Sequence, residues 1–69
     1  MDYEQTASAV RFAMAKAGKT AMEVSVETGY AESSIFRFRR KGCDSVKALS
    51  AIAKSCGMSL TEMIELVED

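Results

Sequence analysis

Ser33, Phe36, Arg37 and Arg40 recur at i, i+3, i+4 and i+7, the spacing that stacks side chains along one face of an α-helix. A hydroxyl, an aromatic ring and two guanidiniums in that register suit contact with a nucleic-acid groove: hydrogen bonds to phosphate oxygens and guanine edges, and apolar contact with a thymine methyl. The stripe is too cationic to bury without partners. Glu32 precedes it and can accept a hydrogen bond from cytosine N4. Residues 37–41 form the densest basic run of the chain. Early positions on such a helix meet bases and late ones meet the backbone, so Glu32, Ser33, Phe36 and Arg37 form the base-contact set, and Arg40 with Lys41 belongs to the phosphate set. Phe36 has two readings, against a thymine methyl or against a neighbouring helix of the same domain.

An arginine-bearing stripe taken alone is more often a solvated helix face. What precedes it changes the balance. Thr20 followed by Glu23 is a capping box, in which each side chain accepts from the other residue's backbone N–H. A helix should therefore start at Thr20, run through Met22, Val24 and Val26, and stop near Thr28. Gly29 can close it in the left-handed conformation. Tyr30 then offers an apolar residue to the crook, and the next helix begins within residues 31–33. Projection at 100° per residue sends Ile35 and Phe38 to the core, with Ala31 and Ser34 beside them.

The flanks read as helices as well. The sequence has no proline and no alternating β-branched run, which argues against strands. A first helix over Tyr3–Ala17 places Tyr3, Ala7, Val10, Met14 and Ala17 on one stripe and ends at Gly18. A fourth starts at Asp44 or Ser45, presents Val46, Leu49, Ile52, Ala53 and Cys56 inward, and stops at Gly57. Ser59 and Glu62 form a second capping box, opening a fifth helix with Leu60, Met63, Ile64 and Val67 inward. The five methionines read as core filling. The expectation is an all-α domain of five short helices spanning residues 1–69.

Composition narrows the function classes. A chain of 69 residues hides only about 60% of its unfolded surface on folding, which favours a partner subunit. No stretch approaches the roughly 18 apolar residues of a membrane span, and no signal-like run opens the sequence, so a cytoplasmic protein is expected. With no histidine and two cysteines thirteen positions apart, neither a one-chain zinc quartet nor a histidine-based nucleophile can be assembled. Enzyme activity, metal, cofactor and small-molecule ligand are accordingly not expected. Cys56 reads as a small core residue and Cys43 as a loop thiol. The net charge of −1 is low for a nucleic-acid binder, but it is polarised. Residues 1–42 hold seven basic and five acidic side chains, whereas residues 43–69 hold two and five.

Over residues 10–67 the chain resembles the Cro and repressor-type helix-turn-helix domains of phages and the related Xre-like bacterial regulators. The resemblance rests on Thr20-Ala21-Met22-Glu23-Val24, the turn Thr28-Gly29-Tyr30, Ser33-Ser34-Ile35-Phe36-Arg37-Phe38, Leu49-Ser50-Ala51-Ile52-Ala53-Lys54 and Gly57-Met58-Ser59-Leu60-Thr61-Glu62, in that order. It implies a five-helix lambda-repressor-like DNA-binding domain in which helices 2 and 3 form the helix-turn-helix. It further implies transcriptional regulation through a palindromic double-stranded operator bound by a dimer, as by a phage or prophage repressor. Ala21 stands where relatives often carry a phosphate-touching Gln, and Met14 and Arg39 stand where relatives often pair an Arg with an acid. Arg39 is thereby released for phosphate or for an acid such as Glu4, and Lys19 and Thr20 complete the expected phosphate set. Leu60, Met63, Leu66 and Val67 form the expected interface of a weak homodimer. An alternative use of the same fold is a protein-binding module of antitoxin or anti-repressor type.

Overall fold

A computed structural model describes residues 2–67 as five α-helices: α1 (Tyr3–Ala17), α2 (Ala21–Thr28), α3 (Glu32–Lys41), α4 (Val46–Ser55) and α5 (Leu60–Glu65). There is no strand among the described residues, so the domain is all-α. Its principal extents are 30 × 21 × 18 Å.

Local chemistry fixes the helix starts. Thr20 accepts from the Glu23 N–H while its own N–H donates to the Glu23 carboxylate, and Ser59 and Glu62 repeat this reciprocal pair. Asp2 and Gln5 form a third capping box at the head of α1, a D-x-x-Q pattern that helix periodicity alone does not single out. Ser45 accepts from the Ala48 N–H to start α4. Only α3 starts without a side-chain cap: Ala31 occupies the position, and its carbonyl accepts from Ser34 and Ile35. Gly29 stands at φ +83°, where the left-handed turn between α2 and α3 requires it.

All five helices contribute to one core. Val10, Val24, Ile35, Ile52 and Met63 are its largest fully buried side chains. Alanines at 9, 13, 21, 48 and 53, all buried, let the helix backbones approach closely. α1 packs on α3, α4 and α5, while α2 packs on α3 and α4. Tyr30 lies partly buried against this core, with its ring edge-on to Phe38 at 6.0 Å.

Several expected inward positions are elsewhere. Tyr3 is 57% exposed, and its phenol donates to Asp44. Val46 is 66% exposed, while Ala48, Leu49, Ile52 and Ala53 form the buried side of α4. Ala31 is exposed and Ser34 only half-buried. Leu60, Ile64 and Val67 are half-buried, leaving Met63 as the one buried residue of α5.

Cys43 lies in the loop between α3 and α4, as expected, but it is buried. It is 5% exposed, held in a joint that the sequence pattern does not reveal. The Thr6 hydroxyl donates to the Tyr3 carbonyl (2.8 Å) and accepts from the Cys43 N–H (3.0 Å), fastening the start of α1 to the link between α3 and α4. Gly42 makes this approach possible. Its backbone stands at φ +90°, ψ −177°, a region essentially reserved for glycine. A Cβ there would also overlap the Tyr3 carbonyl oxygen and lie 2.6 Å from the Thr6 hydroxyl.

Candidate nucleic-acid interface

The core anchors α3 through two residues. Ile35 is fully buried and Phe38 is 8% exposed, so the helix cannot rotate without withdrawing one of them, and its opposite face is fixed outward. Ser33, Phe36, Arg37, Arg40 and Lys41 all lie on the exposed side, and Glu32 is half-buried at the first turn. The guanidinium of Arg37 rests 5.5 Å from the centre of the Phe38 ring, close enough for a cation–π contact that steadies the side chain. Phe36 is 49% exposed, with the Arg39 guanidinium 5.6 Å from its ring centre. Its ring therefore remains open to solvent while flanking α1.

Arg39, Arg40 and Lys41 occupy the last turn of α3, where positive charge is favoured by the helix dipole. Among the described residues the one ion pair is Lys19–Glu27, so none of the α3 cations is neutralised by a carboxylate there.

Of the expected phosphate contacts at the start of α2, Lys19 is already engaged within the fold. The Lys19 ammonium donates to the Glu27 carboxylate and to the Ser55 carbonyl, and its side chain is 27% exposed. It works as a clasp between the α1–α2 link, the end of α2 and the end of α4, and is largely occupied before any phosphate arrives. Ser55 donates its hydroxyl to the same Glu27 oxygen. These two donors hold the Glu27 carboxyl below the ordinary glutamate range. Thr20 is exposed; its backbone N–H donates to Glu23 and its hydroxyl oxygen accepts from the Glu23 N–H, which leaves the hydroxyl proton to donate elsewhere.

Arg11 lies outside the set expected from the sequence. From α1 it donates through Nη1 to the Arg39 carbonyl and through Nη2 to the Ser8 hydroxyl (3.0 Å). The first bond supplies a partner to one of the terminal carbonyls of α3 that lack an intrahelical donor. Arg11, Phe36, Arg39 and Arg40 together wall an open hollow of about 430 Å³. One sequence signal marks Arg11: it follows the inward Val10 directly, which puts it on the flank of α1.

Of the expected interface residues, Met63 has no surface to offer, being 0% exposed in the core of the single chain. Leu66 and Val67 are half-buried, and with Phe12, 51% exposed, they line a second hollow beside the start of α1. Among the described residues no three potential metal ligands cluster, and no helix is long and apolar enough to cross a membrane. Comparisons with protein-family models, with curated proteins and with solved structures return no match for this chain.

Proposed function

We propose that this chain is a cytoplasmic transcriptional regulator that binds double-stranded DNA in a sequence-specific manner. In this reading it has the lambda-repressor-like fold of the Cro and Xre type, α2 and α3 are its helix-turn-helix, and α3 enters the major groove. The observation that carries the reading is the outward face of α3. Ser33, Phe36, Arg37 and Arg40 share it, without a carboxylate partner among the described residues, on a helix locked by Ile35 and Phe38. A rigid helix bearing hydroxyl and guanidinium donors matches the donor and acceptor pattern of base edges. Glu32, Ser33, Phe36 and Arg37 read bases, while Arg39, Arg40 and Lys41 hold the backbone. A two-fold dimer would set two such helices about 34 Å apart on an imperfect palindrome with half-sites about 10 base pairs between centres.

Selection of bound sequences from a random duplex pool, followed by titration of the selected and a scrambled duplex at several salt concentrations, tests the proposal. The selected duplex should bind more tightly, and log K should fall linearly with log salt for both. Equal affinity for the two duplexes would refute sequence-specific reading, and a flat salt response would refute groove binding.

A further inference from the structure

We infer that the hollow between α1 and α3 is a phosphate-binding site in which Arg11, Arg39 and Arg40 share a single phosphate group. The inference rests on the proposed DNA binding and deepens it, adding a residue of α1 to the backbone contact and assigning three cations to one anion. The hollow is walled by these three arginines and Phe36, contributed by two helices well separated in sequence. Among the described residues no carboxylate is ion-paired with any of them. Three positively charged side chains line one concavity, and an anion bound within it would be attracted to all three.

Arg11 is already oriented for this task. Its bonds to the Arg39 carbonyl and the Ser8 hydroxyl use two of the five guanidinium donors and leave the remainder of the fork available. Arg39 lies over the Phe36 ring, a placement suited to the weakly hydrated guanidinium. Both side chains lose little further freedom when they bind. The carbonyl end of α3 opposes an anion with about half a unit of negative charge, which three full positive charges exceed. A planar carboxylate is saturated by one guanidinium fork, whereas a tetrahedral phosphate offers oxygens to forks approaching from several sides. The chemistry thus selects a phosphate, either a backbone phosphodiester or free phosphate.

The test uses the full chain labelled with ¹⁵N, following the Nε–Hε signals of Arg11, Arg39 and Arg40 by NMR. Inorganic phosphate and a 20-base-pair duplex are titrated separately, against chloride at matched ionic strength. The three signals should move together along one binding curve with at least one probe and stay fixed in chloride. In parallel, the salt dependence of duplex binding is measured for the Arg11→Gln/Arg39→Gln/Arg40→Gln triple variant and for Arg40→Gln, whose side chain bonds no other group among the described residues and so leaves the fold intact. A shared phosphate predicts that the triple variant loses a slope of about 0.9, whereas separate contacts predict a loss of about 2.7. Arg40→Gln alone should weaken duplex binding while keeping nearly the full slope. Concerted shifts with phosphate and no duplex binding would keep the site, assign it to free phosphate and overturn the DNA reading. Duplex binding with signals that move independently, or with the larger loss of slope, would overturn the shared site and leave the DNA reading standing.

Discussion

Arg37 and Lys41 both project from the exposed side of α3, Arg37 from its middle and Lys41 from its last residue. Arg37→Ala is therefore expected to weaken binding of the selected duplex by about 1–3 kcal/mol and relax preference at one base position, whereas Lys41→Ala should weaken all duplexes alike. Titration against cognate and scrambled duplexes checks both, and equal losses on the two for Arg37→Ala would remove it from base reading. The glycines give a second contrast. Gly29 has open space where a methyl group would stand and only its φ to defend, so Gly29→Ala should lose about 1–2 kcal/mol. Gly42→Ala adds backbone overlap to an unfavourable dihedral pair and should lose about 2–5 kcal/mol. Thermal melts of the two variants give the order directly; the reverse order would contradict the tight approach at Gly42. The turn at Gly29 was legible in the sequence because helix signals flank it on both sides. The joint at Gly42 was not, because Thr6, its partner, lies more than thirty residues away and carries no local signature.

Helix boundaries were legible wherever a capping residue and a glycine bracket an apolar stripe, as for α2, whereas α5 has a capping box at its start but no glycine at its end. Which residues on those stripes reach the interior depends on how neighbouring helices pack, and Tyr3 and Val46 stay outside. The fate of Lys19 was hidden for a related reason. Its partners, Glu27 and Ser55, come from the far ends of two other helices, and only packing brings these together. That cluster gives the fold an acid-sensitive element. Because the folded carboxyl of Glu27 lies below the ordinary glutamate value of about 4.5, its contribution is complete above that value and is lost as pH falls through the lower folded one. Glu62, lowered by its bonds to Ser59, acts in the same direction. Melting temperature measured from pH 6 to pH 3 should fall less steeply for Glu27→Gln than for the parent. Identical profiles would show that the clasp adds nothing to stability. Both carboxylates are near the surface, so added salt should shrink the difference.

At the level of the assembled domain, the proposed dimer gives Met63 of α5 and Leu66, just beyond its end, different duties. Met63 fills the core, and Met63→Ala should lower stability by about 2–5 kcal/mol without altering the self-association of whatever remains folded. Leu66 is half-buried beside Phe12 and Val67, and Leu66→Glu should reduce dimerisation and cooperative operator binding. Sedimentation and melting curves on both variants separate the two duties, and an undiminished dimer in Leu66→Glu would move the interface elsewhere. The sequence pattern placed Met63 and Leu66 together in that interface because a helical stripe does not say which of its members a single chain can cover. Packing decides it here: α1 and α4 close over Met63 and leave the next turn partly open.

The Thr6–Cys43 hydrogen bond couples local order to the fate of the entire chain. The Cys43 amide lies outside any helix, yet its acceptor is a buried hydroxyl 37 positions earlier. Its proton can meet solvent only when α1 lifts away from the α3–α4 link. In deuterated water this loop amide should therefore exchange as slowly as those at the centre of α1, reporting global opening from a place where fast local fluctuation is the usual rule.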